Sequence, residues 1–177
     1  MTDLPADPSS AAPDDAADPA TDTGMYRLGG YNRMLGLRFV ERREGYLRAE
    51  LDLGPHHMNK AGFTHGGVYA GILDSASTGS GLYCPYPGRI RKCSTLSLTV
   101  NYVGMSREGA MLTVVARVTR GGRSVFAAEA EVRDPDGNLC AHSIGTFKYM
   151  RGSEDPQGVP MDPDAGGPDP APRAIAP

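Results

Sequence analysis

The sequence predicts an α+β domain in which one helix packs against one face of an antiparallel sheet. Residues 67–83 carry apolar side chains at helical spacing, and a run of strand candidates fills residues 94–149. Helices and strands do not alternate along the chain, which argues against a parallel, doubly wound sheet. One helix set against antiparallel strands is therefore the fold class that we expect.

Length and composition predict one structured domain between two tails. The chain has 177 residues, enough for a single domain with a hydrophobic core, which we place at residues 25–150. Residues 1–24 are rich in Pro, Ala and Asp, and residues 151–177 are rich in Pro, Gly and Asp. Such segments offer little apolar surface to bury, so we expect both tails to be disordered.

The charge distribution limits the kinds of partner. The whole chain carries a net charge of -3, but the acidic tails leave the central domain net positive. A positive domain suits an anionic small molecule. Nucleic acid is not expected, because the basic residues are scattered and no nucleic-acid-binding motif is present.

Cysteine usage and hydropathy predict a cytoplasmic protein without a membrane partner. An odd number of cysteines without a CxxC pair is typical of reduced thiols. These cysteines are Cys84, Cys93 and Cys140. No apolar run approaches the roughly 18 residues of a membrane span, and the N-terminus lacks a signal-peptide pattern.

The segments before the long helix predict a hairpin. Residues 26–35 suit a short helix or turn. Residues 37–43 and 46–53 alternate between apolar and polar side chains, and Glu44-Gly45 between them suits a tight turn. We therefore expect two paired strands here.

The segments after the long helix predict the rest of the sheet. Prolines and a glycine in residues 84–91 favour a loop. The strand candidates are residues 94–103, 111–119, 124–133 and 139–149. Turn-forming residues at 120–123 and 134–137 separate the last three, so neighbouring strands should pair antiparallel.

The long helix carries two different stripes. Its apolar stripe, which we expect to be buried, consists of Tyr69, Ile72, Leu73, Ala76 and Tyr83. Its second stripe contains small residues around one acid: Gly67, Gly71, Asp74, Thr78 and Gly81. Glycine inside a helix costs about 1 kcal/mol relative to alanine, so the second stripe predicts close approach by a second chain, a strand or a ligand.

The start of this helix and its acid are the candidates for chemistry. Backbone N–H groups at Gly66-Gly67 can hold a phosphate, a carboxylate or a reaction oxyanion, because the helix dipole favours negative charge there. Asp74 lies about 10 Å further along the axis, too far for a base that must come within about 3 Å of the water it activates. One site that uses both therefore takes them from two subunits of a two-fold dimer.

Other interpretations of these residues stay open. Asp74 can be an ordinary exposed acid, and His65 can simply cap the helix. The histidines His56, His57 and His65 lack the spacing and carboxylate support of a metal site, so no metal is expected. A serine hydrolase is not favoured either, because no GxSxG motif or activated Ser or Cys is visible.

HHMNKAGFTHGG at residues 56–67 and AGILDSAS at residues 70–77 resemble the hot-dog-fold acyl-CoA thioesterases of the phenylacetate-pathway (PaaI-like) group. The matching positions are Asn59, His65, Gly66, Gly67 and Asp74. The strand that begins at Thr95 and the closing residues 121–149 are also similar to this family. The resemblance covers roughly residues 34–149.

The resemblance implies a long central helix wrapped by a curved antiparallel sheet, paired into a homodimer or homotetramer. It implies that the N–H near Gly66 polarises a thioester carbonyl, with Asn59 orienting the carbonyl or water beside His65. Asp74 of the facing subunit would activate water or attack directly, assisted by Thr95. The stripe of small residues would then be a dimer contact and acyl channel.

The resemblance also implies a place for coenzyme A. The turn with Arg120, Gly122, Arg123 and Ser124 matches one that meets the phosphates of coenzyme A, and Gly67 would contact the substrate too. No other cofactor is implied. The expected activity is hydrolysis of an acyl-CoA, with aryl-acetyl or medium-chain acyl groups as candidates. The alternatives are a non-catalytic acyl-CoA-binding module and a hot-dog hydratase or dehydratase.

Overall fold

A computed structural model describes residues 29–162, in which one long helix packs against a six-stranded antiparallel sheet. The N-terminal tail expected at residues 1–24 lies outside the described residues. Within residues 29–162, no helix is long and apolar enough to cross a membrane. The predicted helix-on-sheet class is confirmed.

Ten helices and strands and one 3-10 turn make up this part of the chain. In order they are α1 (Gly30–Leu35), β1 (Arg38–Arg43), β2 (Tyr46–Asp52), the 3-10 turn (Pro55–His57), α2 (Gly66–Gly81), β3 (Arg89–Ile90), β4 (Cys93–Tyr102), β5 (Met111–Gly121), β6 (Val125–Arg133), β7 (Leu139–Tyr149) and β8 (Val159–Pro160). The large sheet has the order β1-β2-β5-β6-β7-β4, and β3 pairs with β8.

The predicted hairpin and strands are present with small shifts in their bounds. β1 and β2 pair antiparallel, as do β5 with β6 and β6 with β7. β4 does not pair with its sequence neighbour β5 but crosses the sheet to pair with β7, where it forms an edge. The loop expected at residues 84–91 contains the short strand β3, which the prolines and glycine around it obscured.

The buried face of α2 holds the domain together. Tyr69, Ile72, Leu73 and Ala76 are each no more than 2% exposed, so four of the five predicted apolar positions are confirmed. They belong to one core with buried residues of β2 and β5, and each fully buried Leu or Ile contributes roughly 1.5–3 kcal/mol. Tyr83 lies beyond the end of the helix and is half-buried.

Two glycines of the small-residue stripe are covered by the chain itself. A Cβ at Gly71 would lie 2.6 Å from the Tyr31 hydroxyl of α1, and a Cβ at Gly81 would overlap the Phe126 ring of β6. The expected close approach of a strand is thus present at Gly81. This burial corrects the expectation that the whole stripe forms a dimer contact and acyl channel.

Residues 151–162 differ from the disordered tail expected at residues 151–177, of which residues 163–177 lie outside the described residues. Residues 150–161, which we call the C-terminal strap, turn back so that β8 pairs with β3. Ser153 in the strap is 1% exposed. Gly152 and Gly158 adopt positive φ at its bends, so residues that suggest disorder by composition serve here as turn formers.

His57, to which the sequence assigned no role, ties α1 to the loop before α2. Its ring is 1% exposed; Nδ1 accepts a hydrogen bond from the Gly54 N–H at 2.9 Å, and Nε2 donates to the Leu35 carbonyl at 2.9 Å. Its own carbonyl accepts from the His65 N–H at 2.8 Å. Burial lowers the pKa of His57 below its ordinary value of 6.5.

We therefore expect the free energy of unfolding to fall as the pH drops below about 6.5, because the unfolded chain then binds a proton at His57 that the folded chain excludes. Above that pH the neutral ring contributes its full stability. His57→Gln should lower stability at pH 8 by about 1–3 kcal/mol and weaken the loss between pH 7 and pH 5. Urea titrations at several pH values measure both effects. His56→Gln, a change at the exposed neighbouring ring, should keep most of the wild-type slope; an equal slope in His57→Gln would contradict the assignment.

Candidate active site

The N-terminus of α2 presents a backbone N–H group that has no acceptor among residues 29–162. His65 is the N-cap, and its Nδ1 accepts a hydrogen bond from the Gly67 N–H at 2.9 Å. Among residues 29–162, nothing accepts a hydrogen bond from the Gly66 N–H. The helix dipole makes this donor a favourable partner for developing negative charge.

The same contacts show His65 as the cap of α2, which is one of the two interpretations that the sequence left open. A ring whose Nδ1 accepts from the helix backbone is a capping residue. The Gly67 N–H, one of the predicted substrate contacts, is occupied by this cap. Beside them, the Tyr102 ring lies 3.5 Å from the position of a Cβ on Gly66, so an aromatic wall flanks the free donor.

Asn59 shapes the loop that leads to this helix end. Its Oδ1 accepts hydrogen bonds from the N–H groups of Ala61 at 2.8 Å and Phe63 at 3.3 Å. Its backbone N–H also donates to the Phe63 carbonyl at 2.7 Å. The side-chain oxygen is therefore engaged in the loop, and the Asn59 amide nitrogen is the group left to orient a ligand.

The structure brings Asp74 and Thr95 together within one chain. The Thr95 hydroxyl donates to Asp74 Oδ1 at 2.8 Å, and the carboxylate is half-buried on α2. Thr95 sits where the β4–β7 register shifts, between Thr95 and Ser97. Such bulges re-aim side chains, and here the irregular strand points a hydroxyl at the acid.

Cys93 lies in the electrostatic field of the same acid. Burial of the thiol and the nearby negative charge of Asp74 raise the pKa of Cys93 to about 12, against a smaller opposing effect of Arg91. The thiol therefore stays protonated at physiological pH. A thiolate nucleophile at this position is not available.

The two candidate groups of α2 are widely separated within one chain. Asp74 follows Gly66 by eight positions on a continuous helix, which places it about 12 Å further along the axis. A thioester carbon cannot meet both groups of the same helix. Either the two groups work separately, or a second copy supplies one of them.

β4 offers a surface on which a second copy can pair. It is an edge of the large sheet, ten residues long, with no strand beside it in the described chain. Its exposed apolar side chains, together with those of the loop that follows, are Leu96, Tyr102, Val103 and Met105, each more than half exposed. A long apolar edge of this kind favours pairing with another strand.

The predicted coenzyme A turn only partly borders a cavity. Arg120, Gly122 and Arg123 are exposed at the β5–β6 turn. Ser124 lines an open cavity of about 460 Å³, and the complete lining is Ser94, Ser124, Lys148, Tyr149, Met150, Arg151 and Glu154. Lys148 and Arg151 line this cavity but were not selected from the sequence. The outward position of Lys148 in the alternating strand could have indicated its exposure, whereas Arg151 fell in the expected tail.

Among the described residues, no three His, Cys, Asp or Glu side chains are grouped in a way that could hold a metal ion. The candidate site therefore consists of the Gly66 donor, the Asp74–Thr95 pair and the β4 edge.

A long helix wrapped by a curved antiparallel sheet, with a glycine pair at the helix start, defines the hot-dog fold. Residues 61–141 match the model of the thioesterase superfamily. A curated relative is acyl-coenzyme A thioesterase 13 of Mus musculus, 25% identical over 124 residues that cover 69% of this chain and 86% of the relative.

Solved structures share the fold. A conserved protein of Pseudomonas aeruginosa is 29% identical, with a TM-score of 0.62, over 70% of this chain and 95% of the other. The PaaI protein from the phenylacetic acid degradation operon of E. coli is 17% identical, with a TM-score of 0.61, over 75% and 87%. A Streptococcus mutans protein bound to acetyl CoA is 19% identical, with a TM-score of 0.58, over 71% and 91%. The resemblance to PaaI-like proteins is thus confirmed.

Because its pKa is raised from 9.0 to about 12, Cys93 should react with iodoacetamide at pH 8 roughly a thousandfold more slowly than an ordinary thiol. Alkylation of the native protein, followed by peptide mass spectrometry, gives the rate. Asp74→Asn should accelerate the reaction, since it removes a negative charge that opposes thiolate formation. Ordinary reactivity in the wild type, or no acceleration in the variant, would contradict this account of the Cys93 environment.

Proposed function

We propose that the protein hydrolyses acyl-CoA thioesters to a free acid and coenzyme A. The observation that carries the proposal is the hydrogen bond of 2.8 Å between Thr95 and Asp74 on the helix that also exposes the Gly66 N–H. A carboxylate held by one donor keeps lone pairs with which to accept a proton from water. The match of residues 61–141 to the thioesterase superfamily model supports this chemistry.

The reaction follows from these groups. Asp74 takes a proton from water as the water oxygen attacks the thioester carbonyl carbon. The Gly66 N–H stabilises the negative charge that develops on the carbonyl oxygen, a contribution typically worth about 3–4 kcal/mol. The tetrahedral intermediate then collapses, the C–S bond breaks, and the proton held by Asp74 passes to the departing sulfur. Asn59 and Thr95 orient the reacting groups.

Direct attack by Asp74 is the other route to the same products. The carboxylate oxygen would bond to the acyl carbon and release coenzyme A, and water would then cleave the resulting anhydride. A single turnover in ¹⁸O-labelled water separates the two routes. Water activation places the label in the acid product, whereas cleavage of the anhydride by water at the Asp74 carbonyl places the label in the protein.

Each site takes Gly66 from one subunit and Asp74 from its partner. The separation of about 12 Å prevents one helix from supplying both groups to one thioester, and the exposed β4 edge supplies a surface for pairing. A two-fold dimer then contains two equivalent sites. A homodimer, or a homotetramer built from two dimers, is the assembly that we propose, within the cytoplasm.

The phosphates of coenzyme A lie at the β5–β6 end of the sheet. Lys148 and Arg151 provide positive charge in the cavity of about 460 Å³, and Ser94 and Ser124 provide hydroxyl groups. Ser94 immediately precedes Thr95, so this cavity lies along the strand that carries the Asp74 partner. The acetyl CoA bound to the Streptococcus mutans relative supports a thioester of this class as the ligand.

For the acyl group we propose an aryl-acetyl or medium-chain substituent. Tyr31 covers Gly71 on the helix surface between Gly66 and Asp74, and Tyr102 lies beside Gly66. These two half-exposed aromatic rings offer flat apolar walls to an acyl chain or aryl ring. A panel of acyl-CoAs from acetyl to long aliphatic, with phenylacetyl included, gives the preferred class.

Asp74→Asn should lower kcat by roughly a hundredfold or more, because an amide cannot accept the proton from water. Thiol release from the acyl-CoA panel measures turnover, and circular dichroism verifies folding. Asp136→Asn, an exposed acid in the β6–β7 turn, is the matched control and should leave turnover unchanged. Full turnover by Asp74→Asn would contradict the mechanism.

The same panel distinguishes the alternative functions. Tight acyl-CoA binding by the wild type without release of thiol would favour a binding module, and hydration of an enoyl thioester would favour a hydratase.

Gly66→Pro removes the free N–H while keeping the helix, because proline suits the first helical position and His65 before it is already extended. We expect a fall in kcat of about a hundredfold or more, whereas Gly66→Ala, which keeps the N–H, should stay near the wild type.

Co-expression of Gly66→Pro with Asp74→Asn subunits should restore about a quarter of wild-type activity, since half of the dimers then contain one intact site. No restoration in confirmed mixed dimers would contradict a shared site.

A further inference from the structure

The C-terminal strap, residues 150–161, lies beyond residue 141, where the match to the thioesterase superfamily ends. It leaves β7 and pairs with β3 through β8. The strap therefore closes over the short connection between α2 and β4. This connection leads directly into β4, the strand that carries Thr95 of the candidate site.

Ser153 is the residue through which the strap grips this connection. Its Oγ accepts a hydrogen bond from the Lys92 N–H at 3.0 Å, and its carbonyl accepts from Arg91 Nε at 2.9 Å. The Met150 N–H donates to the Lys92 carbonyl at 2.9 Å. Both peptide groups of Lys92 are thus held by the strap, and Ser153 is 1% exposed, so water does not compete for these bonds.

Arg91 connects the strap to the end of α2 by hydrogen bonds. Its guanidinium donates to the Gly81 carbonyl at 3.3 Å and lies over the Tyr149 ring at 4.3 Å from the ring centre. The Tyr149 hydroxyl also donates to the Gly81 carbonyl, at 3.3 Å. The last turn of the helix, the end of β7 and the start of β4 are therefore joined at one point.

The stretch between this point and the β4 bulge is short and weakly held. Within one subunit, Cys93, Ser94 and Thr95 pair with β7 on one side only, because β4 is the sheet edge. The register shift after Thr95 interrupts the ladder on their far side. A three-residue segment with one strand partner would fray without an anchor at its other end.

We propose that Ser153 and Arg91 are positioning residues that hold Thr95 against Asp74. The Thr95–Asp74 hydrogen bond of 2.8 Å depends on where the backbone of residues 93–95 lies, and the strap fixes that backbone from its N-terminal side. This inference rests on the proposed function for its catalytic consequence. Its structural part, the ordering of residues 93–95, is measured separately.

The test is a double-mutant cycle between Ser153→Ala and Thr95→Ala. We expect Ser153→Ala to lower kcat several-fold with KM within about twofold of the wild type. In the Thr95→Ala background, Ser153→Ala should lower kcat no further, because the group it positions is already absent. Equal, additive losses in both backgrounds would overturn the proposal, since a general loss of folded protein would act alike in each.

Hydrogen exchange gives a reading that does not depend on turnover. The amides of residues 93–95 should exchange faster in Ser153→Ala, while those of α2 around Asp74 should not; unchanged exchange at 93–95 would overturn the proposal. If the wild type hydrolyses no acyl-CoA, the proposed function fails, and the exchange result still decides whether the strap orders β4.

Should Ser153→Ala not fold, Arg91→Lys serves instead, because lysine keeps the charge but lacks the planar group that bonds the Ser153 and Gly81 carbonyls together. Asp155→Asn, an exposed position in the same strap, is the matched control and should change neither reading.

Discussion

The rigid spacing of α2 is the constraint from which the rest of the site follows. A helix with one face buried against the sheet cannot bend to bring its start and its middle to the same atom. The Gly66 donor and the Asp74 carboxylate are therefore fixed about 12 Å apart, the donor at the N-terminus of the helix and the carboxylate halfway along it. Any chemistry that uses both must bring another chain to the helix.

Close packing around α2 sets where that chain can come. Gly81 lets Phe126 of β6 lie directly against the helix end, and Gly71 lets Tyr31 do so nearer the middle. These contacts draw the helix onto its own sheet and its own N-terminal segment. The surface that stays open runs along β4, where the bulge after Thr95 and the exposed apolar side chains lie.

The sequence was sufficient to predict the helix, its buried face and most of the strands, because these depend on local periodicity. Asp74 was selected as the one acid in the stripe of small residues and Thr95 through the family resemblance. Their contact needed the fold, since 21 positions separate them. The pairing of β4 with β7 was not visible either: a crossover depends on which edges remain free, and residue patterns do not report that.

Other features escaped because their function is tertiary. His57 resembles any loop histidine until its two ring nitrogens are seen between Gly54 and Leu35. The C-terminal strap has the composition of a disordered segment, yet a few hydrogen bonds to arginine side chains and the Lys92 backbone hold it in place. Likewise, the glycines on α2 predict close approach by another group, but only the folded structure identifies that group as an aromatic ring of the same chain.

The uncovered edge of β4 has a consequence for how the activity depends on protein concentration. A site assembled from two chains obeys mass action, so dilution below the dissociation constant of the pair removes sites without unfolding the subunits. Specific activity would then decline on dilution and recover on concentration. Substrate that bridges the two chains would oppose the decline, so the assembled fraction would depend on the supply of acyl-CoA as well as on the amount of protein.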